Sequence, residues 1–347
     1  MKEFQNQKIL VVGGAGFVGS NLVKALLACQ PRQVVVVDNL LSAERSNVPD
    51  DPRVHFLQGS INAADIAKVL PDDLDYVFHL ATFHGNQNSM YDPLADHENN
   101  TLPTLMLLER IKGCKSIKKV VYSSAGCTVA EKTYDAPQAT TEEAPVSLFL
   151  DSPYQLSKIF GEFYCNYYWK QHGVPAVRAR FQNVYGPGEI LGAGQWRGTS
   201  ATIWRNVIPT FVYKSLKKLP LSVDNGGVAS RDFIYVEDIA RGLMCCAARG
   251  HAPGAYNVAS GDETTILELA QTINRLTGNP TPIELAPKRT WDRSGKRYGS
   301  TDKARDEIGF AAAVRLEEGL QRTIQWTETN MKMIESCIAR HQQRAAA

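Results

Sequence analysis

Tyr154 and Lys158 stand four residues apart in the stretch SPYQLSKIFGE, so on a helix they share one face, one turn from each other. A tyrosine left to itself loses its proton only near pH ~10; an ammonium held beside the phenol favours the phenolate and makes a usable general base at neutral pH. Far upstream, KILVVGGAGFVGSNLVKALL passes from an aliphatic run through glycines into helical spacing, which predicts a strand, a tight turn and a helix. Gly13, Gly16 and Gly19 follow a G-x-x-G-x-x-G pattern. The first permits a sharp turn, the second lets backbone approach a pyrophosphate, and the third lets helix and strand pack closely. Amides at the start of the helix would then face phosphates. A second strand, QVVVVDNL, carries Asp38, whose carboxylate can accept hydrogen bonds from ribose hydroxyls and repels a 2′-phosphate, favouring NAD over NADP.

These groups need a scaffold that brings residues 13, 38 and 154 to one place. Strand candidates RVHFLQGS, YVFHLAT, KKVVYSSAG and AVRARFQNVYG recur with helices between them, the alternation of a parallel, doubly wound α/β sheet of the Rossmann type. With 347 residues, 44% of them hydrophobic and 21% charged, the chain suits one large domain and a smaller lobe. The expected division is a dinucleotide-binding domain over 1–187, to which segments near 230–260 return, a substrate lobe mainly over 188–330 and a terminal helix or tail over 331–347. The glycine-rich GPGEILGAGQWRGTSATIWRN is too long for a plain connection and reads as a substrate-covering loop, and residues near 316–343 read as an amphipathic helix. Basic and acidic residues, 38 and 36, are scattered without a run, so no nucleic-acid footprint is expected. Seven cysteines without a C-x-x-C read as reduced thiols of a cytoplasmic protein, and no metal site is expected. Neither a signal-peptide core nor an apolar run long enough to span a bilayer is present in the sequence.

The motifs GGAGFVG, VVDNL, VFHLA, ENNTLPT, YSSAG, YQLSK, NVYGPG, RDFIYVEDIA and YGSTDKARDEIGF occur in that order within residues 7–325. In this ordered set the chain resembles the extended short-chain dehydrogenases/reductases, specifically the NAD-dependent nucleotide-sugar epimerase/dehydratase family. The resemblance implies an amino-terminal sheet that holds NAD and a smaller carboxy-terminal lobe that grips a nucleoside diphosphate-sugar, taken here as UDP-linked. It implies a dinucleotide groove of Gly13, Gly16, Phe17, Val18, Gly19, Asp38, Asn39, Ser60, Ile61, Leu80, Ala81, Thr82 and Asn100, with Tyr154 and Lys158 at its nicotinamide end. Ser124 takes the role of the family hydroxyl that bonds the reacting sugar oxygen and helps move the proton toward Tyr154, with Ser123 as the fallback. Asn183 and Arg231 would hold the diphosphate, with Arg293 as a second guanidinium, while Tyr235, Glu237 and Asp238 read as structural. The helices carrying LPTLMLLERI and KIFGEFYCNYYW would form the four-helix bundle of a homodimer.

Departures from the family pattern narrow the chemistry. Family dehydratases carry an Asp-Glu pair after the active-site threonine, and Ala125 and Gly126 stand in those places, so dehydration is not expected. Gly59-Ser60 replaces a usual Gly-Asp, Pro103 stands where glycine is usual in the helix of Asn100, and Cys127-Thr128-Val129 replaces Val-Tyr-Gly. The expected activity is an NAD-dependent 4-epimerase working through a transient 4-keto sugar, for surface polysaccharide such as lipopolysaccharide O-antigen. Arg197 lies near the place where related uronate epimerases put an arginine for the C6 carboxylate, which points to a uronic or N-acetylated uronic sugar. A dehydrogenase or decarboxylase of the same family, or a non-catalytic NAD-binding sensor or scaffold, are the alternatives.

Overall fold

The structure, a computed structural model, describes residues 1–126, 136–146, 149–288 and 295–345. Its first elements are β1 (Lys8–Val12), α1 (Phe17–Leu27), β2 (Gln33–Asp38), β3 (Val54–Gln58), α2 (Ala64–Val69) and β4 (Tyr76–His79). Next come α3 (Asn86–Tyr91), α4 (Pro93–Asp96), α5 (Leu102–Ile111), β5 (Lys119–Ala125), α6 (Pro153–His172), β6 (Ala176–Phe181) and β7 (Asn183–Tyr185). The later part holds α7 (Val207–Leu216), β8 (Leu221–Asp224), β9 (Ser230–Tyr235), α8 (Val236–Arg249), β10 (Ala255–Val258) and β11 (Glu263–Thr265). It closes with α9 (Ile266–Thr277), β12 (Ile283–Ala286), α10 (Asp302–Ile308), α11 (Leu316–Thr329) and α12 (Met331–Ala345).

A seven-stranded sheet runs β10-β6-β5-β4-β1-β2-β3, every neighbouring pair parallel. Strands covered on both faces must be apolar along their whole length, and Val34, Val35, Val36 and Val37 of β2 are all buried. One face packs against α1, α8 and α10 and the other against α2, α5 and α6. The chain winds outward from β1 to β3 and then crosses to β4 on the other side, so the strand order reverses between β1 and β4. Such a switch point leaves a crevice above the carboxyl ends of the strands.

The run AVRARFQNVYG, read as one strand in the sequence, is two: β6 stays in the large sheet, and beyond Gln182 the chain turns into β7. There β7 pairs with β9, which pairs with β11, in a second sheet; β8 and β12 form a third. Apolar side chains of α7, α9 and α11 pack against β7, β8 and β9 as the core of this part. The glycine-rich segment after β7 is pinned by Ile190, Leu191, Ala193 and Ile203 against Ile334, Cys337 and Ile338 of α12. The terminal amphipathic pattern is thus two helices, α11 and α12, separated by Asn330.

Helix α6 starts where Ser152 accepts from the Gln155 amide and Pro153 takes the first turn, and it stops at Gly173, whose φ of 69° suits a residue without a Cβ. Its approach to β5 depends on Gly161: a Cβ there would lie 2.1 Å from the Tyr122 hydroxyl. Gly161→Ala must push α6 off the strand, and we expect a loss of about 1–3 kcal/mol in urea unfolding, as for other overpacked cores.

Candidate active site

At the carboxyl end of β1, Gly13 has φ +84°, and a Cβ on it would meet the Ala81 amide nitrogen at 2.4 Å. A Cβ on Gly19 would come within 2.1 Å of the Gly13 carbonyl oxygen, so α1 can only lie this close to the turn with glycine there. The helix begins at Gly16 with no side-chain cap, which leaves its first amides directed at the crevice, a ready site for phosphate. Asp38 closes β2 with Oδ2 accepting from the Ala15 amide at 2.9 Å and Oδ1 from the Leu40 amide at 2.8 Å. Burial raises its pKa, and these N–H groups oppose the rise. Gly13, Gly16, Phe17, Val18, Gly19, Asp38, Asn39, Ser60, Ile61, Leu80, Ala81 and Thr82 all line one cavity of about 750 Å³, and this wall fits a dinucleotide.

Asn100, expected in the cofactor set, lies behind that wall instead. Its Oδ1 accepts from Thr82 Oγ1 at 3.0 Å and from the Phe83 amide at 2.7 Å, while Nδ2 donates to Asp96 Oδ1 at 2.7 Å. It braces the segment after β4, and Asn99 is the neighbour that lines the cavity. Both belong to a π-helical turn, His97–Thr101, just before α5. Pro103 explains the wider turn, since it has no N–H to give to the preceding carbonyls.

Lys158 is buried on α6, and its Nζ donates to the Ser123 carbonyl at 2.9 Å. The same ammonium stands 5.7 Å from the ring centroid of Tyr154 and 5.5 Å from that of Tyr122. Tyr154 and Lys158 both line the cavity. His84 meets the Tyr154 ring edge-on at 5.8 Å. Burial, then the charges of Arg205, Arg197 and Lys158, push the His84 pKa down to about 3, so its imidazole is neutral. Ser124 borders the cavity as well, and its hydroxyl donates to Glu162 Oε1 at 2.5 Å.

Beyond Tyr154 the cavity continues between the large sheet and the later part of the chain. Asn183 at the start of β7 and Arg231 on β9 line it, and Arg231 Nη1 donates to the Ser230 and Gly295 carbonyls at 2.6 and 2.7 Å. Arg293 falls outside the described residues. Arg297, absent from the sequence reading, lines the cavity with Nε and Nη1 unpartnered among the described residues.

Arg197 is not on the wall. It is buried behind His84, donating Nη1 to the His84 carbonyl at 3.1 Å, and its Nε and Nη2 have no partner among the described residues. Burial, and next the charge of Arg205, lower its pKa to about 9, which leaves it protonated at neutral pH. From this glycine-rich segment it is Arg205 that lines the cavity, with Glu189 in the same wall. Glu189 accepts from Asn206, keeps Oε2 unpartnered among the described residues, and is pushed by burial to a pKa of about 7. Arg205 could have been noticed in the sequence as an arginine closing the glycine-rich loop, but loop arginines are usually solvated and nothing local distinguishes it.

Over residues 9–259 the chain matches the model of the NAD dependent epimerase/dehydratase family. It is 58% identical to the Bordetella bronchiseptica enzyme WbmF, solved with NAD+ and UDP, at a TM-score of 0.90 over 100% of this chain and 99% of that one. A UDP-glucose 4-epimerase of Mycolicibacterium smegmatis is 30% identical over 325 residues, 92% of this chain and 98% of that protein. The trifunctional UDP-glucose 4,6-dehydratase/UDP-4-keto-6-deoxy-D-glucose 3,5-epimerase/UDP-4-keto-L-rhamnose-reductase RHM3 of Arabidopsis thaliana is 26% identical over 343 residues, 95% of this chain. The chain spans 48% of that longer relative. By this match, and by a glycine turn and a Tyr-Lys pair that share one cavity, the chain belongs to the NAD-dependent epimerase/dehydratase family, and NAD is its cofactor.

Proposed function

We propose that the protein is a nucleotide-sugar 4-epimerase acting on a UDP-sugar through a transient 4-keto sugar, in the cytoplasm and for surface polysaccharide synthesis. The observation that carries this reading is the buried Lys158 ammonium, 5.7 Å from the Tyr154 ring, midway along a cavity that opens toward the glycine turn on one side and Arg231 on the other. When bound, NAD supplies the acceptor, and later the donor, of the sugar C4 hydride. Tyr154 takes the proton of the C4 hydroxyl as hydride leaves that carbon, and gives it back when the opposite face is reduced. Its place in the first turn of α6 adds the field of the helix amino terminus to that of Lys158 in favour of the phenolate. Neutral His84 does not compete for the proton.

Asn183, Arg231 and Arg297 suit the diphosphate, which would anchor the nucleotide while the sugar turns over between its two faces. The wall argues against a dehydratase: Ala125 has no acid to offer, and a side chain at Gly126 would start 2.1 Å from Gln182 Nε2. For the sugar, Arg205 in the wall with Arg197 behind it favours a substrate with a carboxylate at C6, a uronic or N-acetylated uronic sugar. A homodimer is supported by an apolar stripe left exposed on α6, where Leu156, Phe160, Phe163 and Tyr167 follow helical spacing.

Incubation with UDP-sugars, followed by NMR, should show inversion at C4 with neither NADH nor CO₂ accumulating; release of either would identify a dehydrogenase or a decarboxylase. Tyr154→Phe should lower kcat by about 10²- to 10⁴-fold with little change in KM. Arg205→Ala should cut turnover of UDP-glucuronate by about 10- to 100-fold and spare UDP-glucose, the loss expected for one charged hydrogen bond, and an equal effect on both would remove the uronate assignment. Phe160→Asp should convert a dimer to a monomer in sedimentation velocity; a wild-type monomer would refute the bundle.

A further inference from the structure

One wall of the dinucleotide groove is the segment that follows Asp38. Asn39, Leu41, Ser42 and Ala43 line the cavity there, and Glu44 comes next. Both ends of this segment are tied to Ala15 in the glycine turn, through the Asp38 carboxylate at one end and at the other through Asn47, whose Nδ2 donates to the Ala15 carbonyl at 3.2 Å. Its middle is held from across the chain. The Gln195 amide donates to the Leu41 carbonyl at 3.0 Å, and the Gly194 amide donates to Glu44 Oε1 at 2.9 Å. Only glycine allows this approach: Gly194 has φ +81°, and a Cβ on it would lie 2.4 Å from the Leu41 oxygen.

Helix α12 closes the arrangement from outside. Arg340 Nη2 donates to the same Glu44 Oε1 at 2.9 Å, so groups 150 and 296 residues away in sequence meet on one oxygen. His341, 3% exposed, bonds the Gly192 and Gly194 carbonyls through Nε2 at 3.1 Å each. Carbonyls only accept, so that nitrogen carries the proton. Glu44, Gly194, Arg340 and His341 do not themselves line the cavity, whereas the glycine-rich segment runs on to Ser200, Ala201 and Arg205, which do. A surface segment opens locally at a free energy set by the bonds that hold it, and each bond removed raises the open fraction. We propose that Glu44 and His341 are positioning residues that keep NAD in its groove, by lashing the wall after β2 to α12 through the glycine-rich segment. The groove opens when these bonds part. Such a clasp suits chemistry in which one bound cofactor both takes and returns a hydride.

The inference needs NAD binding but no particular sugar. Holoenzyme loaded with radiolabelled NAD+ is chased with excess unlabelled NAD+, and the retained label is followed in time, with circular dichroism showing that each variant is folded at the chase temperature. Glu44→Ala should release label about 10- to 100-fold faster than wild type, the loss expected for hydrogen bonds to a charged group. Glu44→Gln keeps an acceptor for both donors and should return release to within about threefold of wild type. His341→Ala should speed release by about 5- to 30-fold, the loss of one or two neutral hydrogen bonds. Release at the wild-type rate from either alanine variant overturns the clasp, and so does a Glu44→Gln variant as fast as Glu44→Ala. Should Glu44→Ala fail to fold, His341→Ala decides.

Discussion

An ammonium taken out of water must be given oxygen lone pairs or aromatic faces, and Lys158 has the Ser123 carbonyl at 2.9 Å and the rings of Tyr122 and Tyr154 within 6 Å of its Nζ. That single placement dictates much of the surrounding structure. For Nζ to reach β5, helix α6 has to lie on the strand at the distance that Gly161 allows against Tyr122. One turn further along, Glu162 joins the same strand through Ser124 and the next strand through Arg180. The cation that stands 5.7 Å from the Tyr154 ring thus sits on the helix whose contacts hold the end of β5 in position.

The proposed reaction also requires that dinucleotide and sugar meet at this pair. The reversal of strand order between β1 and β4 opens the crevice for the first, and the departure of the chain from the large sheet at Gln182 builds a wall for the second. Because β7 follows β6 after one residue, Asn183 is placed beside the end of β5 by a covalent path that leaves little freedom. The glycine-rich segment that continues the wall is ordered by apolar contacts with α12, almost at the end of the chain, and His341 bonds the Gly192 and Gly194 carbonyls.

In the part of the wall that holds Arg205 and Glu189, charges are strongly felt because burial lowers the local dielectric. Arg205 and Arg197 make this part of the wall cationic, and His84 stays uncharged because its burial and those same neighbours oppose protonation. Glu189, held near a pKa of about 7, is the opposing acid. A wall of this kind suits the charged sugar substituent proposed above, with the Tyr154–Lys158 pair lining the same cavity.

The groups whose placement is set within one turn of chain were legible in the sequence. Gly13, Gly16 and Gly19, Asp38, Tyr154 and Lys158 owe their places on the cavity to local geometry, a strand end, a tight turn or one helical turn, and spacing records that geometry. The first six strands were legible for the same reason, apart from the break at Gln182, which no change in composition marks. Side-chain direction was not legible: Asn100 and Arg197 have the right types near the right places, yet both turn inward to brace backbone, and the two serines of β5 differ only in the face they occupy. Arg205 and Arg297 reach the cavity only because segments distant in sequence fold over it. Residue type and spacing determine which chemistry the chain can perform; which copies of each type perform it is decided by packing between distant segments, an energy that no short window of sequence contains.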